Sequence, residues 1–311
     1  MSEIVINAQN LSKNFYNFDS RLPFIKRFLK RNQITIRAVQ DISFTIKRGS
    51  IVGFIGSNGA GKSTTIKMLT GTLYPSSGKL EVNGEIPFKR SINFRKKISI
   101  VVGNKLQLFQ DVSAMDYFQL IGTLYEVEPA ILQERIQELS NLLNVKDQLY
   151  QQVRTLSLGQ KMKMEFIAAS LTSPEILFLD EPTIGLDIQS KKDIRTFLKK
   201  MNEECHTTII LTSHDMDDIS SVCDELIVID KGKIILQESM DVILSKFSDF
   251  KYLKIKMTLD LVPELCSVKG VVVISQTKSE CILKIPRDFV FETLESINKL
   301  VDIEDFEISN L

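Results

Sequence analysis

Short, continuous apolar runs punctuate this chain, and the stretches between them carry apolar residues at helical spacing. That is the pattern of a mostly parallel sheet covered on both faces. The runs are Ile51-Val52-Gly53-Phe54-Ile55 and residues 98–102, 176–179, 209–211 and 226–229. Upstream, residues 4–8 predict an edge strand, closed by residues 11–16 with the aromatics Phe15 and Tyr16. Residues 38–46 alternate as a strand through Val39, Ile42, Phe44 and Ile46, so two antiparallel strands are expected ahead of the main sheet. Residues 80–82 read as a further strand ending at the turn Asn83-Gly84. From Met115 to about residue 149 the spacing turns helical, with Phe118, Ile121, Leu124 and Tyr125 on one stripe. Ile131, Leu132, Ile136, Leu139, Leu142 and Leu143 make a second stripe, opened by Pro129. Together they predict a helical insertion between strands, over about 113–172.

Near residue 245 the pattern changes. Strands at 252–257, 271–275, 281–285 and 303–308, with helices at 261–268 and 289–300, give the order β-α-β-β-α-β of a small ferredoxin-like α+β domain. The expected architecture is therefore α/β, with a main domain over 1–244 and a second domain over 245–311. No catalytic constellation occurs in the second domain, which points to a regulatory or structural role.

Composition narrows the class. A chain of 311 residues with 43% hydrophobic positions buries an ordinary globular core. Lys plus Arg and Asp plus Glu both total 39, which speaks against a generally basic surface and hence against a nucleic-acid partner. Locally the balance is uneven: Arg21, Lys26, Arg27, Lys30, Arg31 and Arg37 occur with no acidic residue among them, while Asp302, Glu304, Asp305 and Glu307 make the end acidic. Residues 23–31 set Phe24, Ile25, Phe28 and Leu29 against Lys26, Arg27, Lys30 and Arg31, a short basic amphipathic helix. Two readings fit it: docking at a membrane surface or an integral partner, or packing on its own domain with a solvated charged face. No apolar run approaches membrane-spanning length, and the start Met1-Ser2-Glu3 lacks the features of a signal peptide, so the cytoplasmic side is expected. Cys205, Cys223, Cys266 and Cys281 are scattered, which predicts reduced thiols rather than a disulfide framework or a zinc site.

The chemistry begins at Gly56-Ser57-Asn58-Gly59-Ala60-Gly61-Lys62-Ser63-Thr64, which follows an apolar strand and opens a helix. This is the spacing of a phosphate-binding loop. Its glycines free backbone N–H groups to wrap a pyrophosphate, and the helix N-terminus adds unsatisfied donors. Lys62 suits neutralisation of the β- and γ-phosphates, and the Ser63 hydroxyl suits a Mg²⁺ ligand. Asp180, ending the apolar run 176–179, suits the same metal, and Glu181 beside it suits a base for an attacking water. The two acids would also serve as a helix-initiating cap. His214, at the end of the next run, is placed to donate to a transferred phosphate or to be a structural histidine. Phe15 and Tyr16 either stack on a base or are surface aromatics near a turn. In Leu156-Ser157-Leu158-Gly159-Gln160, Ser157 and Gln160 form a capping box, but Gly159 in a first helical turn costs about 1 kcal/mol against alanine. Something is expected to approach its backbone closely.

The phosphate loop, then LSLGQ, then ILFLDEPTIGLD, then LTSHD, in that order and spacing over about residues 3–238, resemble the nucleotide-binding subunit of an ATP-binding cassette transporter. The resemblance implies a P-loop ATPase with a mostly parallel core sheet, an antiparallel β subdomain and a helical subdomain, using ATP and Mg²⁺. It implies that Ser157, Gly159 and Gln160 bind the γ-phosphate of ATP held by a second subunit in a homodimer or heterodimer. Asp187 resembles the aspartate that communicates between the halves, Glu181 the catalytic base and His214 the switch histidine. By position Phe15 resembles the adenine-stacking aromatic, with Tyr16 next in line. The basic insertion, Ala114-Met115-Asp116 and Thr183-Ile184-Gly185-Leu186-Asp187 are similar to bacterial exporter subunits of the daunorubicin-resistance type, which pair with separate integral membrane permeases. That similarity implies a peripheral motor exporting drug-like, lipid or peptide cargo; the competing expectation is a soluble cassette ATPase or ATP-dependent switch with a non-transport partner. Two departures stand out. Leu158 replaces the usual glycine, and no glutamine follows residues 98–102 at the family's position, where Asn104, a candidate metal-site residue, stands with Gln107 as the alternative.

Overall fold

The computed structural model describes residues 3–18, 33–103, 105–213, 215–248, 250–257, 271–277, 280–286, 293 and 303–309. The chain divides into two compact units, Met1–Glu238 and Ser239–Leu311.

The first unit holds two sheets. Strands β1 (Ile4–Phe18), β2 (Gln33–Lys47) and β4 (Ser77–Val82) form a three-stranded antiparallel sheet in the order β2-β1-β4. Residues 4–8 are therefore not an edge strand: β1 runs on through Phe15 and Tyr16 and lies in the middle of its sheet. Bulges between Ala8 and Lys13 let one long strand pair with both neighbours while Leu11 stays fully buried. The second sheet has the order β5-β6-β7-β3-β8-β9, built from β3 (Ile51–Ile55), β5 (Ile98–Val102), β6 (Ile176–Asp180), β7 (Thr208–Ser213), β8 (Glu225–Asp230) and β9 (Lys233–Ser239). The first five pair in parallel, and their runs of β-branched and apolar residues reflect burial on both faces. The edge strand β9 was not expected; its short apolar run Ile234-Ile235-Leu236 is exposed or half-buried, as suits an edge.

Helices fill the intervals: α1 (Lys62–Leu69), α2 (Ile92–Lys97), α3 (Ala114–Leu124), α4 (Pro129–Leu142), α5 (Leu158–Ser170), α6 (Ile188–Cys205) and α7 (Met216–Val222). Inside α3 and α4, Phe118, Leu132, Ile136 and Leu139 of the expected stripes are buried while Leu124 and Ile131 are exposed, and Ser113 with Asp116 caps α3. Phe44 and Phe54 meet edge to face at 5.4 Å and join the two sheets in one core.

The second unit opens with α8 (Met240–Ser248) and carries a four-stranded sheet in the order β11-β12-β10-β13, every pair antiparallel. Its strands are β10 (Phe250–Met257), β11 (Val272–Gln276), β12 (Glu280–Pro286) and β13 (Ile303–Ser309). The helices expected at 261–268 and 289–300 lie outside the described residues, apart from Thr293, which is helical and buried. The basic segment 23–31 also lies outside them.

Candidate functional site

Parallel register brings three strand ends level. Ile55 of β3 pairs with Ser213 of β7, and Asp180 of β6 pairs with Thr212 of β7. β3 then enters the loop Gly56-Ser57-Asn58-Gly59-Ala60-Gly61, whose tip at Ser57, Asn58 and Gly59 is exposed, and α1 begins at Lys62 with Ser63 and Thr64 half-buried. Gly61 takes φ 114, and a Cβ there would stand 2.6 Å from the Ala38 carbonyl oxygen, so the loop closes onto β2 only with glycine.

The side chains converge at that edge. Ser63 Oγ donates to Asp180 Oδ1 at 2.9 Å, and Thr212 Oγ1 donates to the same oxygen at 2.8 Å. Thr212 Oγ1 in turn accepts the N–H of Glu181 at 3.0 Å. Lys62, only 5% exposed, donates to the Gly56 carbonyl at 2.6 Å and ion-pairs with Glu181 at 3.5 Å. Glu181 has φ 51, a left-handed conformation uncommon outside glycine and often found where a backbone is bent to aim a functional side chain. Lys62, Ser63, Asp180 and Glu181, chosen from the sequence, thus share one site. Thr212 belongs with them and was missed, although it sits at a strand end as His214 does. Ser63 and Asp180 present hard oxygens of the kind Mg²⁺ takes. Among the described residues no cluster of three His, Cys, Asp or Glu could hold a metal by itself, so the ion would complete its shell with water and phosphate oxygens.

Phe15 and Tyr16 reach the flank of this loop through β2. Phe15 pairs with Ile36, two residues before the Ala38 carbonyl that abuts Gly61. The Phe15 ring is partly exposed and lies 5.3 Å from Lys13 Nζ, while Tyr16 is more open at 59%. Asn104 and His214 lie outside the described residues. Gln107, the alternative to Asn104, is exposed, and its Nε2 donates to the Ile100 carbonyl at 3.0 Å.

The signature residues gather elsewhere. Ser157 and Gln160 make both bonds of the capping box at the start of α5, at 3.2 and 2.9 Å. Gly159 is buried, and a Cβ on it would stand 2.3 Å from Ser190 Oγ and 3.0 Å from Asp187 Oδ2. The close approach expected at Gly159 therefore comes from this chain's own α6. Asp187 caps that helix, accepting the Ser190 N–H at 2.8 Å and its hydroxyl at 2.7 Å, and these bonds hold its carboxyl below the usual range. Leu158 is 46% exposed, beside Gly185. A cavity of about 70 Å³ opens between Glu181, Thr183, Lys191, Ser213 and Asp215.

A phosphate loop facing an Asp-Glu pair at the edge of a parallel sheet defines a nucleotide-binding protein of the P-loop class. The sequence profile described as ABC transporter matches residues 39–184. The chain is 32% identical over 216 residues to the ABC transporter ATP-binding protein NatA of Bacillus subtilis, covering 70% of this chain and 87% of that one. It is 34% identical over 197 residues to the linearmycin resistance ATP-binding protein LnrL of the same organism, spanning 63% of each. Among solved structures, cbiO1 of Clostridium perfringens, part of the transporter complex cbiONQ, matches with TM-score 0.64 and 26% identity over 78% of this chain and 92% of that one. The cassette MJ0796, at 20% identity and TM-score 0.64 over 76% and 98%, shares the fold. This chain therefore belongs to the ATP-binding proteins of ABC transporters and is an ABC-type ATPase. No helix among the described residues is long and apolar enough to cross a membrane.

Proposed function

We propose that this protein is the ATP-hydrolysing motor subunit of a bacterial ABC exporter, working as a dimer of nucleotide-binding subunits with separate integral membrane permeases at the cytoplasmic face of the membrane. The observation that carries the reading is the hydrogen-bonded set of Ser63, Asp180, Thr212 and Glu181 facing Lys62. Residues 56–64 cradle the phosphates, Phe15 or Tyr16 stacks on the base, and Lys62 leaves its loop carbonyls for the β- and γ-phosphates. Glu181 accepts the proton of the attacking water, and His214 donates to the γ-phosphate. Ser63, Asp180 and Asn104 hold Mg²⁺, which supplies charge neutralisation at the transferred group.

The place of the signature supports dimerisation. Ser157 and Leu158 are exposed, and Gly159 is pressed on Asp187 and Ser190 rather than on the chain's own phosphate loop. Ser157, Gly159 and Gln160 thus serve ATP held by a second subunit, with Asp187 reporting between sites. The resemblance to LnrL, a resistance protein by name, favours drug-like, lipid or peptide cargo moving outward. In the second unit, the all-antiparallel order β11-β12-β10-β13 supports a ferredoxin-like domain over about 245–311, appended to a nucleotide-binding domain over 1–244 with its helical part at 113–172. The decisive experiment is Glu181→Gln: phosphate release should fall at least about a hundredfold while ATP-bound dimer accumulates on size exclusion. Unchanged phosphate release would overturn the assignment.

A further inference from the structure

The phosphate loop is held by a turn that none of the nucleotide motifs includes. β8 ends at Asp230 and β9 begins at Lys233, so Lys231 and Gly232 alone connect them. Both take positive φ, 46 and 79, as the tightest hairpin turns require, although left-handed backbone is unfavourable for a lysine. The N–H of Gly232 donates to the Ala60 carbonyl of the phosphate loop at 2.8 Å. Gln40 of β2 locks the turn from the other sheet: its N–H donates to the Gly232 carbonyl at 2.7 Å, and its Nε2 to the Lys231 carbonyl at 2.7 Å.

The contact leaves no space for a side chain. A Cβ on Gly232 would stand 2.8 Å from the Ala38 carbonyl oxygen, the same oxygen that abuts Gly61, and one on Gly56 would stand 2.2 Å from the Ile229 carbonyl oxygen near the end of β8. The loop is thus pressed on β8 where it starts and bonded to the turn where it closes. A trans peptide plane carries its C=O and N–H on opposite sides. Bonding the Ala60 carbonyl to Gly232 therefore sets the direction of the Gly61 N–H, the last donor before Lys62, pointing away from the turn. A loop whose donors are already aimed binds phosphate without first having to order itself.

We infer that the turn Lys231-Gly232, locked by Gln40, positions the phosphate loop for nucleotide: it fixes the Ala60–Gly61 peptide so that the cradle meets the phosphates preformed. Gly232 and Gln40 are positioning residues that act through the loop. The inference rests on the reading of residues 56–64 as the phosphate cradle. Two variants and a control of the full chain test it. Gly232→Ala forces the turn away from Ala38 and loosens its bond to Ala60, whereas Gln40→Ala removes only the side-chain lock. Gly84→Ala is the control, since Gly84 also has positive φ, 73, but its Cβ would meet nothing within 4 Å.

Gly232→Ala should raise the dissociation constant for ADP and the KM for ATP about tenfold, with kcat at saturation held within about threefold, because a preformed cradle serves ground and transition states alike. Gln40→Ala should raise both constants about threefold. Gly84→Ala should lower the urea midpoint and leave both constants unchanged. If Gly232→Ala fails to fold, Gln40→Ala decides alone. Unchanged ADP affinity in Gly232→Ala or Gln40→Ala would overturn the inference, as would a kcat that falls while KM stays put. An equal loss of affinity in Gly84→Ala would overturn it too, since general loosening predicts that. ADP binding that survives Lys62→Ala defeats the parent reading, whereas binding abolished by Lys62→Ala with Gly232→Ala and Gln40→Ala silent defeats only this inference.

Discussion

Thr212 does two jobs with one hydroxyl, donating to Asp180 and accepting from the N–H of Glu181. Thr212→Val keeps the shape and removes both bonds. We expect kcat to fall about tenfold, because each such bond to a charged or buried group is worth roughly 1–3 kcal/mol, with nucleotide affinity much less affected. Stopped-flow phosphate release against equilibrium nucleotide binding separates the two. Gly159 makes a stability prediction. Adding a Cβ 2.3 Å from Ser190 Oγ in Gly159→Ala should cost about 1–3 kcal/mol in urea unfolding. The double variant with Ser190→Gly should cost less than the two changes summed, since they act on the same space. That a close neighbour was needed at Gly159 could be read from the sequence, because glycine is unfavourable in a helix unless space is short. Which neighbour could not, since Ser190 lies 31 positions away along the chain and is brought there by the packing of α6 on α5.

Between elements, the decisive contact is α5 on α6. Lys163 and Asp193 are both nearly buried and meet at 2.5 Å, with Gln189 completing the carboxylate at 2.7 Å. Removing one partner strands the other, so Lys163→Met should destabilise the fold by about 3–5 kcal/mol, and pairing it with Asp193→Leu should recover most of that loss. Thermal or urea unfolding of the single and double variants checks this; equal destabilisation of the two would show that the charges were not coupled. The strands of the parallel sheet were legible because burial on both faces leaves continuous apolar runs. β9 was not, and the pattern puts β1 at an edge it does not occupy, because strand position depends on hydrogen-bonding partners that hydrophobic pattern does not specify. Gln107 is as good an alternative as Asn104 by spacing; its side chain bonds to the Ile100 carbonyl, and Asn104 lies outside the described residues, so the two stay open.

For the molecule entire, several carboxylates make stability sensitive to acid. The Asp215 carboxyl is held below its usual range, first by the bond from Lys191; burial pushes Glu175 upward, but Arg48 and Lys97 outweigh it and leave it lowered. A group whose carboxyl titrates lower in the folded chain than in the unfolded one stabilises above the unfolded value, near about 4, and loses that stabilisation as pH falls through the folded value. The urea midpoint should therefore drop as pH falls below about 4. Asp215→Asn should flatten that drop and lower the midpoint at pH 7; an unchanged acid limb would show that the Lys191 bond does not contribute. The chain's two units share no sheet: Met1–Glu238 carries two and Ser239–Leu311 one.

The order of motifs, the apolar runs and the phosphate loop were enough to establish a P-loop ATPase of the ABC family, because local spacing carries local chemistry. Lys62, Ser63, Asp180 and Glu181 could be chosen in advance, since strand ends and helix starts are local features. Thr212 and Ser190 emerged only from the fold. Each acts through a contact across strands or helices, and parallel register and helix packing, not neighbouring sequence, set those contacts.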